Sequence, residues 1–469
     1  MREFTQQPLA LGAVAALAFT NLVLGVTVTA AGLDAAAALV VIPVAAVVLG
    51  ALIASSRAIL VYAAMAVPLS SPLPLNGPLP LNAPVEVFLS DVLVLLAVGS
   101  WVVARLLEPE TRSPTALRTH VLGWPLLLFG VTLLLALAHG HANYGTSLVS
   151  VPLRFLVYAG IAFAMTALNP QRAFRGLVLV FYAGTVWQTL VALHGLATGT
   201  SATDAINLST GGERVLAGST AMFMAGALLL ALLNLEQDRR AGRTALHLVM
   251  AMLASFTLVH TFQRTTFALV PLLVPLALLA FRHIRSAAAL FLPLCVPFLV
   301  LAVLLLSRID PQFFPTLAHR VTASPSTDTS ATWRREANAA VWAQVSDAPI
   351  TGVGFGKPAS FVLNDVRVAV GQDPHNQFLY LWAGGGLLLF GSFVLLLAVY
   401  LWDSLRRLSS ATMQDRRLIF WAVSLWFVYV VNSMTGIVLT EPRLLLPFWV
   451  LMVLPMIVRP EGRGDAGHA

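Results

Sequence analysis

The sequence predicts an all-α protein that crosses a membrane many times, and three observations lead there. Hydrophobic residues fill 58% of the 469 positions and charged residues only 10%, against about 25% charged in a soluble domain. Mean hydropathy is +0.83. Apolar runs near the roughly 20 residues needed to cover a hydrocarbon core recur along nearly the whole chain. Backbone exposed to lipid at that depth has no water to bond, so it must close its own hydrogen bonds, which a helix does.

Fourteen such segments can be marked, at about 8–31, 36–54, 57–69, 90–107, 120–139, 152–168, 173–195, 215–234, 244–262, 265–281, 287–307, 376–402, 418–437 and 444–458. The third is short for a span, so about 12–14 transmembrane helices are expected. The first follows "MREFTQQ" without a convincing small-residue cleavage site and reads as a retained helix. Cys295 lies inside an apolar segment and is the one cysteine, so it reads as a small core residue with no disulfide partner. Three regions follow: a helical bundle over 1–307, an external loop over 308–375, and C-terminal helices with a short tail over 376–469.

The arginines set the expected topology. If the N-terminus is cytoplasmic and every segment crosses, one set of connections holds 18 arginines, from Arg2 and Arg57 through Arg406, Arg407, Arg416 and Arg417 to Arg463. The opposite short connections hold Arg154, Arg214, Arg264 and Arg443. An excess of basic residues marks the cytoplasmic side, so both termini are expected inside and 308–375 outside. The net charge of +7 then follows from topology, and no nucleic-acid partner is inferred from it.

Two connections expected outside the membrane stand apart. "SPLPLNGPLPLNAP" (71–84) repeats a proline pattern that forbids a regular helix, which predicts a polyproline-like or re-entrant loop. The region 308–375 is too long to lack structure of its own. Within it "TDTSATWRREANAAVWAQVSDAP" predicts an amphipathic helix. Ser330 or Thr332 would cap its start, Trp333, Ala337, Ala340 and Val341 would form its apolar stripe, and Asp347 to Pro349 would end it. Such a helix is expected to lie on the outer membrane surface as a roof.

The outward arginines carry the first chemical signal. A guanidinium near hydrocarbon costs about 2.5–3.5 kcal/mol on insertion scales unless it is partnered or lines a wet cavity. Arg214 sits in "STGGERVLAGST", and Arg264 in "TFQRTTFAL", a turn so tight that its flanking helices are expected to be antiparallel neighbours. Arginine's planar fork suits diphosphate oxygens, because two charge-assisted bonds form at once and the group stays charged. Taken singly, each arginine reads equally well as snorkelling or as paired with Glu213 or Glu441. Arg154 and Arg335 are secondary candidates for acceptor or sugar phosphates.

The second signal is a histidine. "DPHNQFLYLWAGGGLLLF" (373–390) places Asp373 and His375 in front of a long apolar run, beyond the long loop. An imidazole with an unperturbed pKa near about 6.5 can take a proton from a hydroxyl or give one to a leaving oxygen; a helix-capping role is the competing reading. Asp373 would orient it. His139 and His141 in "HGHANYG" read as a solvated loop.

Other chemistries fail on spacing. "TGVGFGKPA" is glycine-rich, but Thr351 and Pro358 stand where a phosphate-binding P-loop needs Gly and Ser or Thr. No outside stretch carries a D-x-D pair or His/Cys spacing for a metal. No cofactor is called for, and arginine would have to neutralise a diphosphate.

These motifs together resemble the bacterial O-antigen ligase and O-antigen polymerase superfamily, polytopic membrane glycosyltransferases. The resemblance rests on "PHNQFL" opening a helix, on "PITGVGFG" as a P-x-x-G-x-G-x-G element behind a Trp-containing helix end, and on "QRTT". It is most specific over about 210–400. One departure is Gly384, where relatives often carry a glutamate, so a role for that carboxylate does not transfer.

The resemblance implies a GT-C-like bundle in the bacterial inner membrane with its active site facing the periplasm. It implies transfer of a glycan from undecaprenyl diphosphate to an acceptor hydroxyl, with inversion and without a metal. His375 would be the catalytic base, Arg214 and Arg264 would bind the diphosphate, and Asn376 would support the motif. The acceptor expected is lipid A-core, as in lipopolysaccharide biosynthesis. A polymerase joining lipid-linked repeats is the alternative within the family, and a lipid-linked sugar transporter the alternative outside it.

Overall fold

The computed structural model describes residues 57–70, 88–107, 122–145, 150–165, 170–198, 216, 218–237, 241–261, 263–281, 329–363, 366–370, 375–436 and 441–458. In chain order the helices are α1 (Arg57–Ala66), a one-turn 3-10 helix (Val67–Ser70), α2 (Leu89–Leu107), α3 (Gly123–Tyr144), α4 (Ser150–Ala159), α5 (Ile161–Met165), α6 (Pro170–Thr198), α7 (Thr220–Gln237), α8 (Ala241–Val259), α9 (Arg264–Ala280), α10 (Thr329–Asp347), α11 (Gln377–Ser410), α12 (Met413–Ser433) and α13 (Pro442–Ile457). Between α10 and α11 lies an antiparallel hairpin, β1 (Ala359–Leu363) and β2 (Val366–Val370).

Among the described residues four helices are long and apolar enough to cross a membrane: Gly123–Tyr144, Ala173–Thr198, Ala241–Val259 and Gln377–Ser410. Shorter apolar helices span Leu89–Val102, Thr220–Leu235, Ala268–Ala277 and Leu444–Ile457. The protein is an all-α polytopic membrane protein. Its lipid face is visible on α3, where Trp124, Leu127, Leu128, Val131, Leu134 and Leu135 are exposed while Phe129, Leu133, Ala136, Leu137 and Gly140 are buried.

Inside a bilayer helices gain little from leaving an apolar solvent, so close packing has to hold them. Phe129 of α3 meets Phe155 of α4, Phe393 of α11 and Trp449 of α13 with ring centroids 6.2, 5.4 and 6.4 Å apart. On the other flank Trp421 of α12 packs edge-on to Phe181 of α6 at 5.3 Å and donates its indole N–H to the Gly226 carbonyl of α7 at 2.9 Å. Any side chain at Gly226 would strike Phe181 and Leu425.

Three expectations change. The apolar segment 152–168 is two short helices, α4 and α5, meeting at Gly160; a Cβ there would press on Val98 of α2 at 3.1 Å. The helices flanking the 260–263 turn are not packed neighbours: α8 lies against α6 and α7, whereas α9 lies against α7 and α12. Gln263 leaves the turn in an extended conformation (φ −86°, ψ 95°) and is tied to α12, which directs α9 away from α8. The helix in the long loop starts at Thr329, so Ser330 and Thr332 fall inside it and do not cap it. The segments 8–31, 36–54 and 287–307 and the proline loop 71–84 lie outside the described residues.

Candidate active site

The site is built around the entrance to α11. Asn376 is the N-cap: its side-chain oxygen accepts from the backbone N–H of Phe378 and of Leu379, each at 3.1 Å, satisfying two of the donors that a helix start leaves unpaired. His375 stands one residue further out. Its φ of 50° makes it the only non-glycine residue with positive φ among the described residues. Histidine tolerates that left-handed backbone better than most residues, and such conformations persist where surrounding structure enforces them. The imidazole packs against Trp333 of α10, ring centroids 4.7 Å apart, and Trp333 in turn packs on Phe361 of β1 at 5.8 Å. Ala337 and Val341 of α10 are fully buried against Leu379 and Ala383 of α11. The amphipathic helix therefore roofs the start of α11 with the stripe the sequence predicts.

The roof is fixed by a break in α11. At Gly386 the backbone leaves the helical region (φ 67°, ψ −166°), a conformation essentially reserved for glycine. Breaking a helix strands carbonyls before the break and N–H groups after it, and buried ones must find partners. The glycine-rich loop supplies them. Val353 and Gly354 donate their N–H groups to the carbonyls of Ala383 (2.8 Å) and Gly384 (3.2 Å), and Leu387 donates to the Pro349 carbonyl (2.9 Å). Trp382 adds an indole N–H to the same Pro349 carbonyl at 3.0 Å, stacks on Phe390 at 4.8 Å and meets Trp342 of α10 edge-on at 5.4 Å.

Close approach is what the glycines allow. A Cβ on Gly386 would collide with the Ile350 carbonyl, and one on Gly352 with the Gly386 backbone. Phe355, fully buried, reaches between Gly140 of α3 and Gly384 of α11 and lies 5.1 Å from the Tyr380 ring. Gly384 thus occupies a place that the Phe355 ring closes to any side chain, which accounts for the absence of a glutamate there.

The other sequence candidates are placed as follows. Arg264 is the first residue of α9, and its neighbours are fastened to the end of α12. The Gln263 amide donates to Asn432 Oδ1 at 3.2 Å, Asn432 Nδ2 donates to Thr266 Oγ1 at 3.3 Å, and Thr265 and Thr435 share a hydroxyl contact at 3.3 Å. Arg154 is buried mid-way along α4, its guanidinium 3.4 Å from Asp91 of α2 and over the Phe88 ring at 4.7 Å. Asp91 also accepts from Tyr158 Oη at 2.6 Å and from the Phe88 N–H at 2.8 Å. Arg335 is on the exposed side of α10, bonded to Glu336 at 3.1 Å. His139 and His141 are exposed on the last turns of α3 and not in a loop. Arg214 and Asp373 lie outside the described residues.

Two residues escaped the sequence reading. Asn432 carried no motif, and its bond to Gln263 spans 169 positions, so only the fold shows it. Pro349 appeared only as the end of the roof helix and the first letter of the glycine motif; its carbonyl serves two donors of the broken helix.

These features define a class: a polytopic membrane protein whose long loop folds over a broken helix and holds a histidine at that helix's entrance. The sequence-family model that matches is described as O-antigen ligase, over residues 248–394. That stretch begins within α8, includes the Gln263–Thr266 turn, α10 and the glycine loop, and ends in α11 just beyond the break. Over that segment the chain is similar to the O-antigen ligase family, which supports a membrane glycosyltransferase of the O-antigen ligase and polymerase type. No curated protein matches the sequence.

Proposed function

We propose that the protein transfers a glycan from undecaprenyl diphosphate to an acceptor hydroxyl at the periplasmic face of the bacterial inner membrane, with lipid A-core as acceptor. The observation that carries this reading is His375, held in left-handed backbone at the entrance of α11 under the α10 roof, within the matched segment. In the proposed reaction the imidazole takes the acceptor's proton as the oxygen attacks the anomeric carbon. The bond from that carbon to the diphosphate breaks, and the configuration inverts. Arg264 and Arg214 neutralise the departing diphosphate. Both termini face the cytoplasm.

The enzyme reading is favoured over a transporter by where the charges lie. Among the described residues the buried charged side chains are Arg154, mid-way along α4 but beside Asp91 in the first turn of α2, Asp403, paired with Arg407 at 2.7 Å in the C-terminal part of α11, and Arg417 in the second turn of α12. A transport path would place acidic or basic residues at the middle of the bundle, whereas the buried His247 there is bonded to Tyr182 at 2.9 Å.

The test is the glycan profile of a strain lacking the gene. Full-length polymer stranded on undecaprenyl diphosphate with bare lipid A-core is the expected result. Core capped by single repeats would make the protein a polymerase, and an unchanged profile would remove both readings.

Two substitutions probe the diphosphate site. Arg264→Ala is expected to cost about 2–4 kcal/mol of transition-state stabilisation, by analogy with other donors to a developing anion, or roughly 30- to 900-fold in rate. Asn432→Leu keeps the volume but releases Gln263 and Thr266, and the resulting misplacement of the turn is expected to slow transfer by roughly 10- to 100-fold. Initial rates of the purified variants decide both; near wild-type rates in folded samples would remove Arg264 from the site.

A further inference from the structure

Gln377 is the first residue of α11 and is fully buried, yet neither its amide oxygen nor its amide nitrogen has a hydrogen-bond partner. Among the described residues it is the one side chain with two polar atoms in that state. Buried amides are normally bonded, and one left unbonded costs the desolvation of both ends. Local structure does not require the amide, because Asn376 already caps the helix. A leucine would fill the same space.

Its direction follows from the helix. Residues three, four and seven positions apart share a face, so Gln377 lies with Tyr380, Leu381 and Gly384. That face turns into the bundle: Tyr380 and Leu381 belong to the main core, and Phe355 covers Tyr380 and Gly384. His375 instead meets the roof through Trp333. The amide is therefore two residues from the histidine, on the bundle side of the α11 entrance.

We propose that Gln377 binds a sugar ring of the glycan substrate, its amide taking two neighbouring hydroxyls. This rests on the transferase reading above. The ligand class follows from the two orphaned atoms. A carboxamide offers one acceptor and two donors side by side, and adjacent sugar hydroxyls, each both donor and acceptor, satisfy both ends. A diphosphate only accepts and would leave the amide oxygen bare, and a polyprenyl chain would leave both ends bare. The ring belongs either to the donor or to the acceptor, and kinetics separate the two.

The experiment uses the full chain in lipid nanodiscs, with lipid-linked glycan and lipid A-core both recovered from a strain lacking the gene. Gln377→Leu and Gln377→Glu are compared with wild type for thermal stability and for kcat and KM with each substrate varied in turn. Gln377→Leu is expected to be as stable as wild type or more so, while kcat/KM falls about 10- to 100-fold, as loss of two neutral hydrogen bonds predicts. The fall is expected with one substrate varied and not the other, and that substrate owns the sugar. Wild-type kcat/KM for both substrates in Gln377→Leu overturns the proposal, and so does a rate loss that merely follows a lowered melting temperature. If wild type itself transfers nothing between these substrates, the transferase reading fails and the assignment of Gln377 falls with it.

Discussion

His375→Asn is expected to give a folded protein whose transfer rate is lower by about 10²- to 10⁴-fold, the range supplied by a positioned general base. Asparagine is chosen because it accepts left-handed backbone readily, so the φ of 50° at this position is not itself an obstacle. The cap on α11 comes from Asn376 and is untouched. What disappears is the imidazole and its packing on Trp333. His375→Gly separates the two consequences further, since glycine adopts positive φ without strain. That variant should lose activity to the same degree while its backbone strain is relieved. Rates of purified variants, read beside their melting temperatures, decide the matter. A histidine that served only as part of the turn would leave both variants active.

Gly386→Ala carries the largest expected effect on the fold. Two penalties act together. The residue sits at φ 67°, ψ −166°, where a Cβ is strained, and that Cβ would run into the Ile350 carbonyl, a backbone atom that cannot rotate away. Backbone strain of order 1–3 kcal/mol and overpacking of about 1–3 kcal/mol give a loss on the order of 2–6 kcal/mol. Displacing the loop would also unpair the carbonyls of Ala383 and Gly384 and the N–H of Leu387. Gly391→Ala, on the same helix, is the control. A Cβ there meets nothing within 4 Å, and alanine favours a helix over glycine by about 1 kcal/mol, so this variant should match or exceed wild type. Thermal unfolding in detergent reads both; a Gly386→Ala variant as stable as Gly391→Ala would mean that the loop does not lock the break.

The helices were legible because their cause is local. A run of apolar residues must bury its backbone polar groups in its own hydrogen bonds wherever it meets lipid, and this holds for α3, α6, α8 and α11 whatever their neighbours are. The roof helix was legible for a related reason, since Trp333, Ala337 and Val341 repeat at helical spacing and all turn toward α11. The motif at α11 also keeps local chemistry: Asn376 two and three residues before the N–H groups it accepts from is a relation along the chain.

Other features depend on residues far apart in sequence. "AGGGLLL" in an apolar run fits a straight, closely packed helix as well as a broken one. The choice is made by Val353, Gly354 and Pro349, some 30 residues earlier, whose backbone groups pair with those the break exposes. The same applies to Arg154. Hydropathy marked it as a guanidinium in need of a partner, and the partner is Asp91, 63 positions away on another helix. The tight turn before Arg264 pointed to two adjacent antiparallel helices, but Asn432 draws the turn to α12 and the helices diverge.

The sequence by itself therefore determined the membrane class, most of the helices and the identity of the chemical candidates, because hydrophobic length and capping act within a few residues of their cause. The tertiary structure alone decided that α11 breaks, that the glycine loop satisfies the break, that Arg154 is held by Asp91 and that Gln377 is buried without a partner. Each of these is a pairing, or a failure to pair, between polar groups removed from water, and which groups meet is set by the packing of distant segments.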